Sequence, residues 1–115
     1  MPGVIATSGS PCESDEAVPP VGRVMAALAE PRRASIIALL EQRHRSQRGL
    51  SRALDMSQPL LSHHLRVLRE AGLITSTKCD RITVYLLNAA TLRSLSARLQ
   101  LLTKHAETLE AIKPC

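Results

Sequence analysis

The chain has 115 residues, enough for one domain with a modest core of the kind that a partner subunit often completes. Hydrophobic residues make up 44%, yet Tyr85 is the one aromatic, so the core must come from Leu, Ile, Val and Ala, which favours a mainly helical fold. Formal net charge is +5, and no run of about 18 apolar residues exists, which excludes a helix long enough to span a membrane.

The charge is uneven. Residues 1–20 hold Glu13, Asp15 and Glu16 and no Lys or Arg, whereas all 15 basic residues lie in 21–115. A basic body behind an acidic arm suits a polyanionic partner; the plainer reading is a soluble basic surface without one. The first residues lack a basic stretch followed by an apolar one, so no secretory signal is expected and the chain is placed in the cytoplasm.

Residues 1–20, rich in Pro, Gly and Ser without an apolar period, are expected to form a mobile arm. Residues 21–112 are expected to form the folded domain, with 113–115 as a short tail. Val21 to Ala29 reads as a short helix that stops before Pro31. Pro31 opens a second helix, PRRASIIALLEQR, with Ile36, Ile37, Leu39 and Leu40 turned inward. His44 to Gly49 is expected to be a basic connection, followed by a short helix from about Leu50 to Leu54. Ser57 is a good N-cap for the next helix, and Pro59 is tolerated in its first turn. That helix should run to about Ala71, with Gly72 where a left-handed residue is wanted. Leu61, Leu65 and Leu68 form its buried stripe.

Ile74 to Lys78 and Ile82 to Leu87 read as two strands of a hairpin with Cys79-Asp80 between them. A final helix should cover about Thr91 to Ile112. Its Leu92, Leu95, Leu99, Leu102, Ala106 and Leu109 alternate spacings of three and four, as in a coiled-coil seam. So long a seam predicts a homodimer; the alternative is packing onto the first helices of the same chain.

This order is that of a winged helix-turn-helix: mainly α, with a two-stranded β-hairpin wing. In such a fold the capped helix enters the DNA major groove and the wing lies against a phosphate backbone. Gln58, Ser62, Arg66 and Arg69 share one stripe of that helix, opposite the buried leucines. Gln58, near the helix start, suits adenine. Ser62 and His63 can bond a base or a phosphate, Arg66 and Arg69 suit phosphates, and Leu60 can touch a thymine methyl. The adjacent His63 and His64 diverge by about 100° around the helix and do not chelate one ion together. His64 lies beside the leucines and reads as a packing residue. Ser62-His63 is no catalytic pair, since adjacent helical side chains diverge and no carboxylate is spaced to orient the imidazole. No enzyme activity is expected.

Three segments carry a resemblance: LAEPRRASIIALL (28–40), LSRALDMSQPLLSHHLRVLREAGLI (50–74) and DRITVYLLNAATL (80–92). They resemble the ArsR/SmtB family of arsenic- and metal-responsive winged-helix repressors, from about Val21 to Leu109. The resemblance implies a dimer made by the first and last helices that holds operator DNA, needs no cofactor to do so, and releases it when an inducer binds. It also implies base contacts by Gln58, Ser62 and His63, and a wing contact by Arg81 on the second strand. There are departures. Pro59 and Leu60 replace small or polar residues, Cys79-Asp80 replaces an Glu-Gly type of turn, and Arg43, Arg45, Arg48 and Arg52 replace a mostly neutral stretch. These four suit flanking phosphates or a solvated face.

The family's paired cysteines are absent from SQRGLSRAL (46–54), and the last helix, with His105 and Glu107 late in it, offers no convincing ion site. Cys12, Cys79 and Cys115 remain. Their odd number and scatter argue against a disulfide framework. Thiolates select soft ions, so As(III) or Hg(II) is the expected inducer if these cysteines form the metal site. The competing readings are incidental thiols, control by thiol oxidation, a regulator without inducer, and a protein-interaction module that keeps the fold without binding DNA.

Overall fold

A computed structural model describes residues 20–114. The expected mobile arm up to residue 19, with Cys12, and the terminal Cys115 lie outside the described residues. The elements in chain order are α1 (Val21–Ala29), α2 (Pro31–Gln42), β1 (Arg45–Ser46), α3 (Gln47–Leu54), α4 (Gln58–Glu70), β2 (Ile74–Cys79), β3 (Ile82–Leu87) and α5 (Ala89–Glu110). The fold is the winged helix-turn-helix expected from the sequence, with a three-stranded sheet in place of a lone hairpin.

Each boundary has a local cause. Glu30 is extended between α1 and α2, and its Oε1 accepts from the Arg33 N–H at 2.9 Å, so it caps α2 ahead of Pro31. At the other end of α2 the Arg45 Nε donates to the Leu39 carbonyl at 3.2 Å, and its Nη2 to Gln42 Oε1 at 2.7 Å. The expected basic connection at 44–49 is therefore corrected. Arg45 and Ser46 pair antiparallel with Tyr85 and Val84 of β3, giving the sheet order β1-β3-β2. α3 then starts at Gln47, three residues earlier than expected, because Ser46 Oγ accepts from the Gly49 N–H at 3.1 Å and caps it.

Asp55 ends α3 in the left-handed region (φ 51°), a conformation Asp tolerates better than most residues. Ser57 caps α4 as expected, with its Oγ 3.4 Å from the Leu60 N–H. The far end is a Schellman motif: Gly72 (φ 80°) donates to Arg69, and Leu73 to Leu68, both at 3.0 Å. The wing turn carries Asp80 at φ 60°. Two details differ from expectation: Cys79 is the last residue of β2, paired with Ile82, and Arg81 lies in the turn rather than on the second strand. A two-residue turn suffices to reverse the chain here.

Val24, Ile36, Leu40, Leu50, Leu61, Leu68, Leu73 and Ile74 form a single aliphatic core that draws on α1 to α4 and the start of β2. Asn88 joins this core to α5. Its Oδ1 caps the helix by accepting from Ala90 at 3.2 Å, while its Nδ2 donates to the Gly72 carbonyl at 2.9 Å. Among the described residues α5 packs on the rest of the chain only at its start, through Thr91, Leu92 and Leu95. Beyond it Leu99 (47%), Leu102 (43%) and Leu109 (65%) stay exposed, so the rest of the seam has no partner within the described residues.

Candidate nucleic-acid interface

α4 is two-faced. Leu61, His64, Leu65 and Leu68 are buried, and Gln58, Ser62, His63, Arg66 and Arg69 are all exposed on the other side. The helix brings five of the sequence-predicted contact residues onto one ridge. Arg66 Nη2 lies 3.5 Å from His63 Nδ1, and Arg69 Nη1 lies 3.5 Å from Ser76 Oγ on β2, so the ridge leans onto the wing. Between α4 and the sheet runs an open cleft of about 410 Å³, bordered by Gln47, Ser62, Arg66 and Arg69 and floored by Leu65 and Tyr85. Among the described residues the one ion pair is Arg32–Glu30 at 3.9 Å, which leaves Arg66, Arg69 and Arg81 without acidic partners there.

Of the four departing arginines, Arg43, Arg48 and Arg52 are exposed, whereas Arg45 is spent on closing α2. Arg81 is exposed at the wing tip, and the Cys79 thiol is exposed beside it, without a disulfide. Among the described residues no three His, Cys, Asp or Glu side chains converge into a group that could hold a metal ion.

Sequence reasoning missed Gln47. From the first turn of α3 its Nε2 donates to Gln58 Oε1 at 3.0 Å and to Ser62 Oγ at 2.8 Å. No local signal marks it, because the contact spans 11 and 15 residues and depends on α3 starting early.

His64 sits beneath the ridge, 5% exposed. Arg33 reaches it, with Nη1 3.4 Å from His64 Nδ1 and Nε donating to the Ala27 carbonyl at 2.9 Å. A guanidinium only donates, so Nδ1 accepts and the proton of the neutral ring sits on Nε2, which is buried without a partner. Burial pushes the His64 pKa below the ordinary 6.5; nearby Glu30 opposes this, and Arg33 adds to it. The Arg33 backbone N–H holds the Glu30 carboxyl below its ordinary 4.5. The ring is thus a neutral packing group that ties α4 to the α1–α2 junction, as the sequence suggested.

The description "bacterial regulatory protein, arsR family" matches residues 30–76, from the α2 cap to the first half of the wing. The HTH-type transcriptional repressor SmtB of Mycobacterium tuberculosis is 35% identical over 80 residues, covering 64% of this chain and 59% of that protein. An ArsR-like transcriptional regulator from Rhodococcus sp. RHA1 superposes with a TM-score of 0.74 at 29% identity, covering 81% of this chain and 89% of that one. The chain belongs to the arsR family. The homodimeric winged helix-turn-helix DNA-binding domain Mb0332 (fragment 1–100) of Mycobacterium bovis is also similar in fold, with a TM-score of 0.60, 27% identity and coverage of 76% and 82%. The match to the curated SmtB spans about three fifths of that relative's length. The arsR match includes all of α4 and Gln47 and excludes α5.

The state of His64 sets a pH dependence. A folded pKa below 6.5 contributes stability that is complete above 6.5 and is lost as pH falls from there through the folded value. Thermal unfolding of the wild type should therefore move to lower temperature between about pH 7.5 and about pH 5.5, and His64→Gln should show a smaller shift over that window. Equal shifts in the two proteins would exclude His64 as the cause. The Glu30 contribution lies in a separate window, present above 4.5 and lost as pH falls through its lowered folded value.

Proposed function

We propose that this chain is a dimeric transcriptional repressor that binds operator DNA through α4 and the wing and releases it to a thiophilic metal or metalloid. The carrying observation is the exposed ridge of Gln58, Ser62, His63, Arg66 and Arg69, backed by buried leucines and left without acidic partners among the described residues. Gln58 and Ser62 near the helix start read base edges, with His63 beside them; Arg66, Arg69 and Arg81 neutralise phosphates. Membership of a family of bacterial regulatory proteins supports the same reading.

Two copies of the ridge come from pairing of the exposed Leu99, Leu102 and Leu109 of α5, together with α1, whose Met25 is exposed. The homodimeric Mb0332 domain is a precedent within the same fold. Such a dimer reads a near-palindrome with its two α4 helices about one DNA turn apart. The setting is the cytoplasm.

The inducer must prefer the DNA-free conformation, since equal affinity for both would shift nothing. A thousandfold loss of operator affinity needs about 4 kcal/mol of coupling. The Cys79 thiol, exposed at the wing end, is the described donor, and Cys12 and Cys115 are the other two thiols of the chain. Three thiolates suit As(III), and two or three suit Hg(II). An ion held at Cys79 would add bulk where the wing meets the backbone.

Fluorescence-anisotropy titration against operator DNA tests the first half. Arg66→Ala should weaken binding on all sequences and reduce the slope of log K against log salt by about 2, one phosphate contact being lost from each subunit. Absence of salt-dependent binding in the wild type would leave the interaction-module reading in its place. For the second half, As(III) or Hg(II) added to the complex should release the DNA, and a variant lacking all three cysteines should stay bound. Release in that variant too would remove the thiol site, and release by oxidants alone would make it a redox regulator.

A further inference from the structure

We infer that Gln47, which lies outside the reading helix, is a specificity-determining positioning residue that fixes which way the Gln58 amide and the Ser62 hydroxyl face the DNA. The inference rests on the DNA-binding reading above. A side-chain amide nitrogen carries two protons, and Gln47 directs both at the ridge, one to Gln58 Oε1 (3.0 Å) and one to Ser62 Oγ (2.8 Å). The consequence is a defined polarity. Gln58 turns its oxygen towards Gln47, so its NH2 group faces away with both protons free. Ser62 accepts from Gln47, so its own hydroxyl proton is free to donate. The ridge therefore offers donors at both positions, with one spare lone pair on Gln58 Oε1.

The scaffold holds this clamp in place. Gln47 is half-buried in the first turn of α3, directly after Ser46. Ser46 is pinned twice, by pairing with Val84 of β3 and by accepting the Gly49 N–H. The amide that orients the reading residues is thereby tied to the wing sheet, not to α4.

Base chemistry converts this polarity into a preference. In the major groove purines present the N7 acceptor, joined in guanine by O6, and cytosine presents the N4 donor group. A donor-facing Gln58 accepts either purine opposite it and disfavours cytosine. Without Gln47 the Gln58 amide rotates freely and can offer either end. With Glu at position 47 the clamp only accepts, so the Gln58 NH2 group turns inward and its oxygen outward, towards donors such as cytosine N4.

The test is selection from a randomised duplex pool by the full chain, followed by affinity measurements on single-base variants of the selected site. The wild type, Gln47→Ala, Gln47→Glu and Gln58→Ala are compared, the last marking which base pair Gln58 reads. Wild type should favour a purine over cytosine at that pair by about tenfold or more. Gln47→Ala should flatten that ratio while leaving the salt slope unchanged. Gln47→Glu should shift it towards cytosine by about tenfold, whatever the uniform loss of affinity from its added charge. Ratios at that pair equal in wild type and both Gln47 variants would overturn the inference while leaving the DNA-binding reading intact. Failure of the wild type to select any duplex would overturn both. Circular dichroism of each variant identifies any that has failed to fold; if Gln47→Glu fails, Gln47→Ala alone decides between a flattened and an unchanged ratio.

Discussion

The rotation of α4 about its own axis is the constraint on which the rest of the molecule depends. Leu61 and Leu68 are fully buried, and Leu65 and His64 nearly so, all on one side of the helix. Burying each leucine is worth about 1.5–3 kcal/mol, so turning the helix by one residue would forfeit most of that and drive Ser62, Arg66 and Arg69 into an aliphatic core. The exposed ridge is thus the complement of a packing solution. Its ends are set as firmly as its rotation, by the Ser57 cap at one end and the left-handed Gly72 at the other.

Around that helix the chain spends polar side chains on joining elements rather than on the surface. Arg33 spans from the Ala27 carbonyl to the His64 ring and fastens α4 to the α1–α2 junction. Arg45 closes α2 and starts the strand that brings Gln47 to the ridge. Asn88 bonds the Gly72 carbonyl with its side chain and the Leu73 carbonyl with its backbone N–H, so the end of α4 and the start of α5 form one joint. This joint ties α5, whose far half is uncovered among the described residues, to the C-terminal end of α4.

Much of this was legible from residue order because the signals are local. Ser57 before an amphipathic run, Gly72 after it and Asp80 between two Thr-rich segments each announce a boundary on their own, and the spacing of Leu61, Leu65 and Leu68 places the ridge opposite them. The illegible parts depend on contacts distant in sequence. β1 is two residues long, too short for any periodic pattern, and exists only because β3 lies beside it. Arg45 looks like one more surface cation until the Leu39 carbonyl is found within reach, and Gln47 looks like a loop residue until Gln58 and Ser62 are placed next to it. The seam of α5 was readable as a pattern, and the described chain leaves its far half uncovered.

The central claim is that two copies of the α4 ridge meet one face of a single duplex. Hydroxyl-radical footprinting of the chain on a selected DNA site measures this directly. The account predicts two protected patches on the same side of the helix, centred about 10 base pairs apart. A single patch, or two patches on opposite sides of the duplex, would contradict it.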